Sequence, residues 1–245
     1  MAKQVTQETF KHFVDDLRST HGDNLASVVL YGSAAVGDAV KQRSDYNLLI
    51  ALNRIAPEDL RLAQAPVREW QRLGHPLPVY FTVAELSDAA DVFPIEFRQM
   101  ERARKVLYGR DPFEYVELSD ANLRHQTEYE LRSKLLQLRR LYIPASTKIE
   151  RLTALMNDSL ASFAALFRAV LLLKRTEPPV AKRETVLATA RLLNLDAEPF
   201  ERIFELRESG AATPLTEAEA NDLFAAYMAQ IERVIEAVDK IESKD

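Results

Sequence analysis

The chain has no cysteine among its 245 residues. Disulfides and thiolate metal sites are therefore excluded, and a reducing compartment is compatible with the sequence. Glycine is scarce: six are present, against about 17 at average usage. The glycine-dependent motifs are missing too, with no GxGxxG, no Walker A and no Gly-x-Ser-x-Gly. The four histidines, His12, His21, His75 and His125, form no HxxH or HExxH pair, so a zinc site lacks its usual spacing. No long hydrophobic run occurs. The longest, Leu160 to Leu173, is interrupted by Ser162 and Arg168 and is shorter than the ~20 residues of a membrane span. It predicts a buried helix and no membrane partner. Charge of one sign is not in excess either. Net charge is −5, and residues 1–115 carry 14 basic and 16 acidic side chains, leaving 18 and 21 for the rest. A broad polyanion-binding surface is not expected, and neither is a nucleic-acid partner. No apolar signal core follows Met1-Ala2-Lys3, so the expected location is cytoplasmic.

What is present is strongly patterned. Gln4 to His21 predicts a helix with Phe10, Phe13, Val14 and Leu17 on one face, stopped by Gly22. Leu25 to Tyr31, Tyr46 to Leu52 and Leu77 to Val83 read as strands. Pro57 to Leu73 reads as one helix with Leu60, Val67, Trp70 and Leu73 inward. Val92 to Met100 predicts a short helix, and Lys105 to Tyr108 an extended piece before the turn at Gly109-Arg110-Asp111-Pro112. Beyond it strand signals vanish. A long helix capped by Ser119 or Asp120 is expected through Leu141, broken before Pro144. A second, capped by Ser146 or Thr147, carries Leu152, Leu155, Leu160, Phe163, Phe167, Val170 and Leu171. A third ends near Asn194, a fourth spans Glu198 to Glu208, and a fifth begins at Thr216 with Ile231, Val234, Ile235, Val238 and Ile241 as one stripe. These patterns predict an α/β (α+β) domain over residues 1–115 and an all-helical bundle over residues 116–245.

The most informative segment is Val28-Val29-Leu30-Tyr31-Gly32-Ser33, a spacer of eleven residues, then Asp45-Tyr46-Asn47-Leu48-Leu49-Ile50. Gly32 lets backbone approach a ligand closely, and Ser33 adds a hydroxyl. In an extended strand Asp45 and Asn47 project from the same face. Two oxygen ligands beside a phosphate-binding turn suit Mg²⁺, which prefers oxygen and bridges substrate phosphates. Strand, Gly-Ser, spacer, Ser-Asp-x-polar and second strand together resemble the signature of the polymerase-β-type nucleotidyltransferase superfamily. The layout looks like the aminoglycoside nucleotidyltransferases and the small bacterial nucleotidyltransferases of toxin–antitoxin pairs. The resemblance implies a nucleotidyltransferase-like mixed sheet with flanking helices. It implies that Gly32, Ser33, Asp45 and Asn47 hold a nucleotide, that Asp45 and Asn47 bind the metal, and that Asp45 is the catalytic carboxylate.

Two departures bear on activity. Asn47 stands where the family has a second acid, and a neutral amide lacks the charge that holds the ion. The family also carries an acid on the neighbouring strand, and Leu77-Pro78-Val79-Tyr80-Phe81-Thr82 has none. Asp38, Glu85 and Glu96 are candidate substitutes, and Glu128 or Glu130 a candidate base from the helical part. A solvated surface acid is the simpler reading of each. Arg98, Arg102, Arg104, Lys105 and Arg110 cluster, as do Arg132, Lys134, Arg139 and Arg140. Acids interleave with both sets, so paired surface charge is expected. Asp158 and Arg168, inside a very apolar helix, are expected to pair.

The expected protein has a nucleotidyltransferase fold with a degenerate metal site, weak Mg²⁺ and NTP binding, transfer impaired or lost, and a regulatory or protein-partner role. One alternative is an active metal-dependent transferase moving a nucleoside monophosphate from an NTP to a hydroxyl of a small molecule or protein. Another is a structural or homo-oligomerisation module, for which the apolar stripe of the last helix is the cue.

Overall fold

A computed structural model of the chain describes residues 6–32, 34–35, 46–208 and 215–241. The chain divides into two compact units, Met1–Ser119 and Asp120–Asp245.

The first unit is built on a four-stranded sheet. Its strands are β1 (Leu25–Tyr31), β2 (Asn47–Leu52), β3 (Val79–Thr82) and β4 (Arg104–Gly109), in the order β3-β2-β1-β4. β1 pairs antiparallel with β2 and β4, and β2 pairs parallel with β3. The parallel pair requires a crossover, which α2 (Pro57–Leu62) and α3 (Gln64–Arg72) supply. The sheet separates two apolar clusters because side chains alternate across it. On one face Val28, Leu30, Leu48, Ile50 and Leu52 meet Phe13, Leu17 and Trp70, from α1 (Gln7–His21) and α3. On the other, Val29, Leu49 and Ala51 meet Leu86, Phe97, Met100 and Phe113, drawn partly from α4 (Val83–Asp88) and α5 (Pro94–Arg102).

Local chemistry fixes the boundaries. Thr6 caps α1 in a reciprocal box with Thr9, and Gly22, at φ +53°, ends the helix with its N–H on the Arg18 carbonyl. Only a residue tolerant of positive φ stops a helix this way. Thr82 and Glu85 form a second box, which turns the chain from β3 directly into α4, so the strand expected through Val83 ends at Thr82. Lys105 to Tyr108, read as an extended piece, is the core of an edge strand. The single helix expected from Pro57 to Leu73 is broken at Ala63. Leu60, expected inward, is 45% exposed while Asp59 is buried. The reason is polar: the Asp59 carboxylate accepts the Ala56 N–H at 2.9 Å and the Asn24 amide at 3.3 Å, which turns that face of the helix inward.

The second unit is helical: α6 (Asp120–Ala145), α7 (Ile149–Leu173), α8 (Lys182–Leu192), α9 (Glu198–Glu208) and α10 (Glu217–Asp239). Leu152, Met156, Leu160, Phe163, Phe167 and Val170 of α7 are buried, where α6, α8, α9 and α10 all pack against it. Among the described residues α7 is the helix long and apolar enough to cross a membrane by length and composition, and half of its most apolar window is buried in this packing. The helix is 25 residues long, longer than the apolar run, because it begins at Ile149 rather than within the run. Thr216 caps α10 as its sequence predicts.

Several expectations fail here. α6 continues past Leu141 and contains Pro144 in its last turn. The Tyr142 ring stacks on Phe224 at 4.2 Å and its hydroxyl donates to Asn221 at 2.6 Å, holding that turn. Neither Ser146 nor Thr147 caps α7; Lys148 occupies the position without a side-chain bond, and the Ser146 hydroxyl donates back to the Ile143 carbonyl. Asp158 and Arg168 are not bonded to each other: Asp158 is exposed, while the Arg168 guanidinium donates to the Pro179 carbonyl at 2.6 Å. The stripe on α10 is interior, since Ile231, Val234, Ile235 and Val238 are buried. Ile241 lies beyond the helix end. The stripe therefore serves the core of its own unit, not an oligomer face.

Candidate nucleotide site

β1 ends at Tyr31, and the chain leaves the sheet at Gly32 with φ +84°. The Gly32 N–H donates to the Ala103 carbonyl at 2.8 Å, and its carbonyl accepts the Ala35 N–H at 2.9 Å. A tight turn is thereby tied to the entry of β4. A Cβ built on Gly32 would meet the Asn47 Nδ2 at 3.4 Å, an ordinary contact. Backbone conformation, not crowding, is what requires glycine here.

Asn47 opens β2 and is the register partner of Tyr31. By alternation it faces the same side as Leu49 and Ala51, the side of the Phe97 cluster, against which Tyr31 also packs. Burial pushes the Tyr31 hydroxyl above its ordinary pKa, so it stays protonated and able to donate. Before β2, Tyr46 packs edge-on to Phe10 and His75. The structure thus brings Gly32 and Asn47 together. Ser33 and Asp45, with Asp38, lie outside the described residues.

Arg104 starts β4 opposite Tyr31. Its guanidinium is held by Asp111 at 2.7 Å, by the Glu101 carbonyl, and over the Phe113 ring at 5.4 Å. Burial opposes the charge on Asp111, but the bonds from Arg104 and the Phe113 N–H outweigh it and hold the carboxyl below its usual range. In the sequence Arg104 is one of a basic cluster and Asp111 belongs to a turn signal. Tyr31 passed as an ordinary strand residue, although its place directly before Gly32 could have marked it. Elsewhere in the two clusters, Arg98 pairs with Glu101 at 3.0 Å, Arg132 with Glu128 at 2.8 Å and Arg139 with Glu232 at 2.6 Å.

The candidate substitute acids fare as follows. Glu85 is committed to its capping box, its carboxylate accepting the Thr82 N–H at 2.7 Å. Thr82 is the partner of Leu52 at the far end of β2, five residues from Asn47, or about 17 Å at 3.3 Å per residue. Glu96 is exposed in the first turn of α5. In the helical unit, Glu128 is held ionised below its usual range, first by the hydrogen bond from Arg132, with Arg124 adding to it; Glu130 is half-buried on the same helix. Neither β2 nor β3 bears a carboxylate along its length. Among the described residues no group of three or more His, Cys, Asp or Glu could hold a metal ion. Among the described residues the candidate donor is the neutral Asn47 amide.

The histidines take no part in this turn. His12 is exposed near Asp16 and His125 is exposed on α6. His75, read as a loop residue, is in a loop but buried against Trp70 and Tyr46. His21 is buried, and among the described residues neither of its ring nitrogens has a hydrogen-bond partner.

No protein-family model and no curated protein matches the chain. Among solved structures it is similar to the spectinomycin adenyltransferase AAD(9) from Enterococcus faecialis, crystallised with ATP and spectinomycin. The two are 13% identical with a TM-score of 0.57, over 96% of this chain and 100% of that one. At that identity the likeness is one of fold, and it extends from the mixed sheet through the helical unit. The chain shares the fold of that adenyltransferase, a mixed four-stranded sheet with flanking helices followed by a helical unit.

Proposed function

We propose that this chain is a nucleotidyltransferase-fold protein in which transfer is impaired or lost, retaining weak nucleotide binding and acting as a regulatory or partner-binding protein in the cytoplasm. The observation that carries the reading is the pair of acid-free strands β2 and β3 beside the Gly32 turn. Asn47 offers an amide where the chemistry calls for charge. Glu85 is spent on a helix cap at the wrong end of the sheet. Gly32 and its tied turn persist, which supports phosphate contact. Asp45 is the remaining acidic ligand in this reading, with Asn47 a poor second.

A second reading is an active transferase. It is favoured by the full-length likeness to an adenyltransferase bound to ATP and spectinomycin. It takes an NTP as donor and a hydroxyl of a small molecule or protein as acceptor, and draws on Asp45, Asn47 and a further acid such as Asp38.

Calorimetry with ATP, GTP, CTP and UTP, each with and without Mg²⁺ or Mn²⁺, tests the shared premise. Weak binding of at least one nucleotide is expected, and none at millimolar concentration overturns both readings. Incubation with α-labelled NTP, hydroxyl acceptors and lysate then separates them. No label transfer is expected; transfer that Asp45→Ala abolishes establishes the active enzyme.

A further inference from the structure

A pocket of about 190 Å³ lies between α6 and α7, wholly within the helical unit. The two helices are joined by residues 146–148 alone, and so short a connection makes them antiparallel. Rising numbers on α6 therefore meet falling numbers on α7. The lining runs from Lys134 and Ser162 at one end, past Gln137, Asp158 and Ser159, to Leu141 and Leu155 at the other. Leu138 and Phe163, both buried, form its floor.

Two opposite charges line this pocket without meeting. Among the described residues neither Lys134 nor Asp158 is in an ion pair, although Glu130 stands one turn from Lys134. Arg124, Arg132 and Arg139 on the same helix are all paired.

The hydrogen bonds of the α7 wall leave it acceptors alone. Ser162 Oγ donates to the Asp158 carbonyl at 3.2 Å, and Ser159 Oγ donates to the Met156 carbonyl at 3.1 Å. The Tyr227 hydroxyl, 3.1 Å from Ser159 Oγ, is then the donor of that pair. With both serine protons committed to the helix, each oxygen turns only lone pairs to the pocket. The Asp158 carboxylate and these two oxygens suit the three protons of a primary ammonium group. The α6 wall is the converse. The Lys134 ammonium is a donor only, and the Gln137 amide adds N–H donors, which together suit a carboxylate.

We propose that this pocket binds a small apolar α-amino acid of the size of leucine or methionine. Its ammonium group sits on Asp158, Ser159 and Ser162, its carboxylate on Lys134 and Gln137, and its side chain between Leu141 and Leu155. Charge selects this class. A simple anion would face Asp158, and a simple cation would face Lys134, whereas a zwitterion satisfies both walls. The leucine end selects an apolar tail. Size agrees, since a cavity of about 150 Å³ holds benzene. The ligand is small and the pocket opens to solvent, so a dissociation constant of about 0.1–1 mM is expected. All these residues belong to the helical unit, so the site stands whether or not the Gly32 turn takes a nucleotide.

Saturation-transfer NMR and calorimetry on the full chain, with L-leucine and L-methionine titrated to about 10 mM, should show saturable binding. Isocaproic acid and isoamylamine keep the apolar tail of leucine but carry a single charge, and glycine keeps both charges without the tail. Each should bind at least about tenfold more weakly than leucine. Asp158→Asn and Lys134→Met should each weaken leucine at least about tenfold. Circular dichroism and melting should not change, because neither charge is paired within the fold. No saturation by about 10 mM, isoamylamine or isocaproic acid binding as tightly as leucine, or unchanged leucine affinity in either variant overturns the proposal.

Discussion

Tyr31 and Asn47 form the last paired rung between β1 and β2, and the turn at Gly32 closes directly over that rung. Among the described residues, one phenol and one amide therefore stand beside the turn. Replacing Asn47 by Asp puts a charge there without changing shape. If Asp45 is a nucleotide ligand, Asn47→Asp should strengthen Mg²⁺-dependent NTP binding by at least about tenfold, since a carboxylate is the ligand Mg²⁺ prefers. Calorimetry in Mg²⁺ and in EDTA reads the difference. An equal affinity in both would mean that the ion does not reach this rung.

Gly32→Ala should cost about 1–2 kcal/mol of stability, because an L side chain is strained at its positive φ. Space is adequate, so the cost comes from backbone conformation alone. Urea denaturation measures it. Nucleotide affinity should fall in the same variant, as the turn and its bond to Ala103 shift.

Stability should decline in mild acid through His21. Burial lowers its pKa below the ordinary 6.5, and Asp59 offsets this only in part. The unfolded chain thus takes up the proton first. The contribution is complete above about pH 6.5 and is lost as pH falls toward the folded value. One proton limits the slope to about 1.4 kcal/mol per pH unit. Urea midpoints between about pH 7.5 and 5.5 should show this slope, and His21→Phe should flatten it.

Arg104→Ala should destabilise the first unit by about 2 kcal/mol, as for other charged hydrogen bonds. The Asp111 carboxyl, held low by Arg104, should then titrate higher. Its contribution is present at neutral pH and disappears as pH falls through the folded value. Carbon-detected NMR titration of Asp111 in both proteins checks the shift. An unmoved Asp111 would remove Arg104 as its cause.

Phe167→Ala should cost about 3–5 kcal/mol, the usual range for emptying a buried aromatic site. Phe167 is fully buried and meets the Phe163 and Phe200 rings. Thermal melting measures the loss.

Where the sequence was legible, the signals were periodic. Alternation and apolar runs in Val28 to Leu30 and Leu48 to Leu52 located the two central strands, because burial on both faces leaves little choice of residue. The Thr216 cap and the Glu198 to Glu208 helix were readable from local chemistry alone. What misled was polar chemistry acting across the chain. Leu60 reads as an inward helix residue, yet Asn24, 35 residues away from Asp59 in the chain, draws that acid inward in its place. Pro144 looked like a stop, yet stacking of Tyr142 on Phe224 holds the turn around it. Asp158 and Arg168 looked like a buried pair because an apolar neighbourhood in sequence is not the same as burial in space. The closeness of Gly32 and Asn47 follows from the spacing of the two strands, whereas the Arg104–Asp111 pair depends on β4 joining the sheet beside β1.

The parallel register of β2 and β3 also limits where a carboxylate could be added beside Asn47. Leu49 stands beside Val79, and Val79 and Phe81 line the same side as Leu49 and Ala51. Val79 is thus the residue of β3 nearest Asn47 on that side. A carboxylate grafted there would point toward the right end of the sheet but rise from the edge of an aromatic cluster. A designer placing a carboxylate there would have to trade apolar packing around Phe97 for charge, so the two cannot be tuned independently.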